Sequence, residues 1–171
     1  MPFFRPSRAE PLPLRVLGDV VDLIVVALGA VMISLMFLNV LARLALDVDV
    51  AANVELGELM LVWATFLGGV AACRRSTHMR ITEVVEALPP PLRRWLELAI
   101  RVGVLSLLGA LVWHGGLIAL QNMEQQTTVL YWPVGLTYAA LPVGAALMAV
   151  YVAWEAWRLL RGEIVTDAEQ G

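Results

Sequence analysis

The chain has 171 residues, of which 60% are hydrophobic and 16% are charged, with a mean hydropathy of +0.76 and a formal net charge of −3. These values leave room for one membrane domain, exclude a sizeable soluble one, and lead us to expect the lipid bilayer and no nucleic acid as its surroundings. The single cysteine, Cys73, excludes disulfides within the chain and a CxxC redox centre.

The first predicted span covers about residues 14–45. Its uncharged section runs from Leu23 to Ala42, between Asp22 and Arg43. At 1.5 Å per residue this section is about 30 Å long, which is enough to cross the hydrocarbon core. The preceding residues 1–13 are rich in proline and indicate an irregular tail rather than a cleavable signal peptide.

The second predicted span, about residues 55–75, opens on two carboxylates, Glu55 and Glu58. The uncharged section that follows, Leu59–Cys73, is only about 22 Å long as a helix, which is too short to span unaided. Either the bilayer thins, or the carboxylates lie at membrane depth against protein. For Glu55 we favour a solvated helix start, where the helix dipole stabilises acidic residues. For Glu58 we favour a buried role, such as pairing with a partner subunit.

Small residues recur at four-residue spacing along this second span. Such stripes let another helix backbone approach closely, which is how helices associate in lipid. The two stripes are Ala64, Gly68 and Ala72, and next to them Thr65, Gly69 and Cys73.

Residues 78–88 predict a short amphipathic helix in the headgroup plane, because apolar side chains recur at helical spacing. A proline cluster then separates this segment from the third predicted span, about residues 92–123. The fourth predicted span covers about residues 133–161, and Pro142 within it predicts a kink. The sequence thus predicts an all-α membrane protein with four spans in a single domain, residues 1–171.

The basic residues predict the orientation. Arginines concentrate in the N-terminal tail, in the loop between the second and third spans, and at the C-terminal end, whereas the other two loops hold only Arg43. By the positive-inside rule, both termini and the second loop are expected to be cytoplasmic.

Few residues could carry chemistry. His78 and His114 fall at different depths, which disfavours haem ligation by the pair, and we expect His114 to hydrogen-bond within the bundle. The sequence has no metal-ligand cluster, no Gly-rich phosphate loop and no G-x-S-x-G elbow. We therefore expect neither an enzyme nor a cofactor in this chain. Two alternatives stay open: a membrane-anchor subunit of a respiratory complex, and a small self-sufficient proton-coupled transporter that uses Glu58.

Residues 55–89 resemble the small membrane subunit (DctQ type) of tripartite ATP-independent periplasmic (TRAP) transporters. The resemblance rests on an ordered set of features: an acidic helix start, Trp63, Phe66-Leu67-Gly68, a small-residue run, Arg74, His78, the alternating Met79-Arg80-Ile81-Thr82, and Leu88-Pro89 before a basic turn. Thr82 departs from the pattern, since the family often has an acidic residue there. The four-span topology matches over the whole chain.

This resemblance implies a scaffold subunit in the bacterial inner membrane. Its expected partners are a large elevator-type membrane subunit, which would hold the substrate and sodium sites, and a periplasmic protein that captures organic anions. We predict that one group of residues makes helix contacts and another anchors the cytoplasmic side. The first group is Glu58, Trp63, Gly68 and Gly69, and the second is Arg74, Arg75 and His78.

Overall fold

Long apolar runs make this chain helical. The computed structural model describes residues 11–46, 51–76 and 90–161. Its helices are α1 (Leu12–Leu46), α2 (Ala51–Ser76), α3 (Pro90–Gln121), the single-turn α4 (Gly135–Tyr138) and α5 (Ala140–Leu160). Within these ranges, β structure is limited to one isolated bridge between Gln126 and Pro133.

Four helical stretches are long and apolar enough to cross a membrane. They are Leu12–Ala45, Ala52–Arg75, Trp95–Gln121 and Gly135–Leu160. The predicted all-α membrane fold with four spans is therefore confirmed. The predicted amphipathic segment at residues 78–88 lies outside the described residues, and the orientation of the termini stays a prediction.

The second span is longer than the sequence suggested. Helix α2 begins at Ala51 rather than near Glu55, because the alanines before Glu55 are strong helix formers. The membrane-competent stretch of 24 residues is about 36 Å long, and it contains the two carboxylates, Glu55 and Glu58, in addition to the uncharged section Leu59–Cys73.

The backbone of the fourth span stays helical at the boundary between α4 and α5. Ala139, three residues before Pro142, has φ −63° and ψ −22°, and its N–H donates to the Gly135 carbonyl over 2.9 Å. Pro142 has no N–H to donate to the carbonyl of Tyr138, so one helical hydrogen bond is missing there. The kink predicted from Pro142 stays a prediction.

The helices pack in the order α1, α2, α5, α3, so that α1 and α3 form the two edges. One apolar cluster joins α1, α2 and α5 through Val21, Val70 and Tyr151. A second joins α3 to α5 through Leu108 and Val152. The central helices α2 and α5 are thus covered on two sides, whereas α1 and α3 expose much of their apolar surface.

The starts of α1 and α3 lie at the same end of the molecule as the ends of α2 and α5. The Tyr151 hydroxyl donates to the carbonyl of Leu14 over 3.1 Å, which brings α5 to the first turn of α1. Near the end of α5, the Arg161 guanidinium lies 4.7 Å from the centre of the Trp157 ring. We call this the arginine-rich end, and the opposite one, where α2 begins, the Glu55 end.

Close packing of α5 on α2 generates a stability prediction at Gly144. A Cβ at this position would lie 2.9 Å from the Cβ of Phe66 and 3.4 Å from its carbonyl oxygen, and backbone cannot yield as a flexible side chain can. Gly144→Ala should therefore destabilise the folded chain by about 1–3 kcal/mol, measured by denaturation in detergent. The matched control is Gly103→Ala in α3, where no atom lies within 4 Å of the new methyl. Equal stability of the two variants would contradict this packing.

Candidate functional site

An ion-pair network joins α1 to α2 at the arginine-rich end. The Arg74 guanidinium donates to Asp19 over 3.1 and 3.2 Å and lies 3.7 Å from Asp22. Arg75 donates to the other oxygen of Asp22 over 3.1 Å. The Asp22 residue is 7% exposed and the Arg74 side chain 10% exposed, so the centre of the network is buried. A buried pair of this kind needs both partners.

The network explains the small residue on the facing helix. A Cβ at Gly18 would collide with the Arg74 guanidinium, so the glycine makes room for this side chain between the helices. Arg74 and Arg75, predicted as anchors, thus hold the start of α1. Their predicted position on the cytoplasmic side stays a prediction, and His78 lies outside the described residues.

A second ion-pair cluster joins α3 to α5. Arg101 donates to the Glu97 carboxylate over 3.3 Å within α3, and its Nε lies 4.0 Å from the Glu155 carboxylate of α5. The three side chains are mostly buried. The two carboxylates hold the Arg101 guanidinium between the helices, so the side chain does not extend toward the headgroups as a snorkelling arginine would.

At the Glu55 end, the Glu55 carboxylate binds the loop that connects α3 to α4. Its oxygens accept hydrogen bonds from the Thr128 hydroxyl over 2.7 Å and from the N–H groups of Val129 and Leu130, each over 2.9 Å. Glu55 lies near the start of α2 at a solvent-accessible position, as expected, and in addition three donors of one loop converge on its carboxylate. The loop residue Tyr131 adopts a positive φ of 55°, a strained conformation that the surrounding hydrogen bonds hold in place.

The predicted helix-contact residues divide into inward-facing and outward-facing ones. The Trp63 indole donates to the Leu136 carbonyl over 3.1 Å and so ties α2 to α4. A Cβ at Gly69 would lie 2.6 Å from the Met148 methyl of α5, so Gly69 lies at a helix contact within the chain. At Gly68 the same atom would meet nothing within 4 Å. Gly68 therefore faces outward.

Glu58 also faces outward. Its residue is exposed, and among the described residues it makes no hydrogen bond or ion pair. It lines a cleft of about 650 Å³ between α2 and the start of the fourth span. The residues that line this cleft include the apolar Phe66 and Leu141 and the polar Thr128 and Thr137. The buried role favoured for Glu58 is not provided by the described residues of this chain.

The described residues contain no group of three His, Cys, Asp or Glu side chains that could hold a metal ion. His114 is exposed on α3, and its hydrogen bond within the bundle stays a prediction. Most of the charged side chains described above form ion pairs or hydrogen bonds that hold the helices and the loop together. Of the residues predicted for helix contacts, Glu58 and Gly68 point away from the chain.

Sequence reasoning used Asp22 only to mark the end of an apolar run and did not use Asp19. The sequence could have indicated these ion pairs. The two aspartates are three residues apart and so lie on one face of the first span, and an antiparallel arrangement of the first two spans places them at the same end as Arg74 and Arg75. The convergence of residues 128–130 on Glu55 had no comparable signal, because it depends on the shape of a loop.

Comparisons with known proteins agree with one another. Residues 32–162 match the family described as tripartite ATP-independent periplasmic transporters, DctQ component. A putative TRAP transporter small permease protein of Haemophilus influenzae is 26% identical over 134 residues, which cover 78% of this chain and 83% of that protein. The sialic acid TRAP transporter small permease protein SiaQ of Vibrio cholerae is 25% identical over 134 residues, which cover 78% of each chain.

The arginine-rich end generates a prediction on helix association. Asp22→Asn removes the buried carboxylate that lies between the Arg74 and Arg75 guanidiniums and leaves Arg74 paired with Asp19, which should cost about 1–3 kcal/mol of unfolding free energy. Asp19→Asn is the control, because the Asp19 side chain is 56% exposed and should cost at most about 1 kcal/mol. Denaturation of the purified variants in detergent measures both values. A larger loss at Asp19 than at Asp22 would show that the buried pair does not hold α1.

The Glu55 end generates a prediction on loop order. Glu55→Gln replaces one acceptor oxygen by a donor that faces loop donors, so the amides of Val129 and Leu130 should exchange hydrogen faster by roughly tenfold or more. Glu58→Gln changes the same chemistry one turn away without touching these amides and should leave their exchange unchanged. Hydrogen exchange followed by mass spectrometry measures both. Unchanged exchange in Glu55→Gln would mean that the carboxylate does not hold the loop.

Proposed function

The chain belongs to the DctQ family of tripartite ATP-independent periplasmic transporters, and from that premise we propose that it is a scaffold subunit supporting a large elevator-type membrane subunit in organic-anion import. It is a multi-pass protein of the bacterial inner membrane and a TRAP transporter small permease subunit. The scaffold role, the substrate class and the mode of coupling are the parts that we propose.

The family match over residues 32–162 carries the proposal, since it includes three of the four spans completely and part of the first. The distribution of charge supports it. In the described residues, Arg74, Asp22, Arg101 and Glu55 bind other parts of the same chain and hold its helices or its loop in place. Such fixed contacts suit a static wall better than a substrate pathway, which needs polar groups free to bind cargo.

In this proposal the large subunit binds substrate and sodium, and a periplasmic protein delivers the substrate. The Vibrio cholerae relative is named for sialic acid, which is a carboxylate. We extend that class to this chain as organic anions that carry a carboxylate. The small subunit widens the fixed part of the transporter, against which the moving part slides.

Reconstitution tests this function. Proteoliposomes with this chain, the large membrane subunit encoded beside it and the binding protein should take up a labelled organic anion when a sodium gradient is applied. Omission of this chain should lower uptake at least roughly tenfold, because the moving domain loses its fixed support. The chain alone should transport nothing. Flux driven by a pH gradient through the chain alone, abolished by Glu58→Gln, would overturn the proposal in favour of a self-sufficient transporter.

A further inference from the structure

The exposed side chains of α2 form one narrow line. Among residues 52–75 the line consists of six exposed residues and of Gly68, around whose Cβ position there is open space. The spacing alternates between four and three residues. We call this line the α2 seam, and its members are Val54, Glu58, Leu61, Thr65, Gly68, Ala72 and Arg75, the last of which is paired with Asp22 of α1.

We propose that the α2 seam is the docking site of a transmembrane helix of the large subunit, which places an arginine or lysine side chain against Glu58. This inference rests on the proposed function and specifies the contact that the scaffold makes. The occupant is one helix because the seam is one helix wide, since α1 and α5 cover the other sides of α2.

The geometry of the seam fits a helix partner. A repeat of four and three residues averages 3.5, the period at which two helices stay in contact over many turns, with a crossing angle of about 20°. The half toward the arginine-rich end carries small residues, Thr65, Gly68 and Ala72, over which a backbone can approach closely. The Thr65 hydroxyl already donates to the Leu61 carbonyl over 2.7 Å, so it presents mainly its methyl to the partner.

Charge identifies the side chain that the partner must bring. Glu58 lies six residues, or about 9 Å, inside the membrane-competent stretch that begins at Ala52. Lipid tails cannot stabilise a carboxylate, so a carboxylate on a membrane-spanning helix pairs with protein or lines a water-filled cavity. Glu55, one turn away, is already bound to the loop. The 650 Å³ cleft beside Glu58 is large enough for a long basic side chain, whose stem would lie on Leu59 and Val62.

Helix α5 supplies an internal comparison. Its exposed residues follow the same alternating spacing, but every one of them is apolar. These side chains are stable in contact with lipid tails and need no protein partner. The members of the α5 line are Val143, Ala146, Val150, Ala153, Trp157 and Leu160. Spacing alone therefore does not distinguish the two lines. The carboxylate and the small residues distinguish the α2 seam.

Site-specific photo-crosslinking in the intact transporter tests the proposal. A benzophenone amino acid at Leu61 leaves Glu58 unchanged and should crosslink to a large-subunit peptide that carries an arginine or lysine. The same probe at Val150 is the control, because Leu61 is 52% exposed and Val150 46% exposed. It should not crosslink to the large subunit.

Copurification supplies the second measurement. Glu58→Gln and Gly68→Leu should each lower recovery of the large subunit by roughly tenfold or more, whereas Gly103→Leu in α3 should not. Glu58→Arg should abolish recovery, and an acidic residue at the crosslinked basic position should restore it. This rescue excludes misfolding as the cause.

The other outcomes are distinguishable. Crosslinks from Leu61 to lipid alone, to a second copy of this chain, or to no protein while the unmodified chain still copurifies with the large subunit would overturn the seam and leave the scaffold function intact. Full recovery of the large subunit with Glu58→Gln would overturn the charge pairing. Failure of the unmodified chain to copurify with the large subunit would overturn the proposed function itself.

Discussion

A charged side chain within a bilayer needs a protein group of opposite charge or a hydrogen-bond partner beside it. This requirement determines how the helices of this molecule are arranged. Lipid tails offer nothing to an arginine or an aspartate, so each such residue fixes the position of whatever neutralises it. Arg74 and Asp22 thereby join α2 to α1. Arg101 and Glu155 join α3 to α5. Between lipid-soluble helices, apolar contact alone has little preference for one neighbour over another, so these polar contacts specify the order of the helices.

The same requirement makes the two ends of the bundle different. At the arginine-rich end the contacts are ion pairs between helices, which hold long segments side by side. At the Glu55 end a single carboxylate gathers backbone N–H groups of a loop, and the indole of Trp63 binds a backbone carbonyl of α4. Backbone groups without a hydrogen-bond partner are costly near lipid, and both contacts bind such backbone groups at this end of the molecule.

How much of this could be read from the sequence follows from the range of the interactions. The four spans were predictable because an apolar run of sufficient length has no other stable solution in a bilayer. The family was predictable from the ordered residues between Glu55 and Pro89. The orientation of Gly68 and Gly69 was not, because neighbouring stripes on one helix look alike until the position of α5 is known. The hydrogen bonds that Glu55 accepts were not predictable either, because the sequence of a loop with mixed polar residues does not show which amides will point at a carboxylate.

Among the described residues, Glu58 has no ion-pair partner of opposite charge and accepts no hydrogen bond. If the chain needed no partner, an apolar residue could stand at position 58 without loss to the fold. The α5 line shows that an all-apolar exposed surface is compatible with this bundle. Retaining a charge on the exposed side of a membrane-spanning helix is favourable when a group outside the chain neutralises it, which is the role that we propose for the partner helix. A basic side chain does this while also fixing the register of the helix that carries it, because a shift by one turn would leave both charges in lipid. The carboxylate thus specifies which partner binds and at what height, and the small residues beside it set how closely that partner approaches. These are the two properties that a fixed wall for a moving transport domain requires.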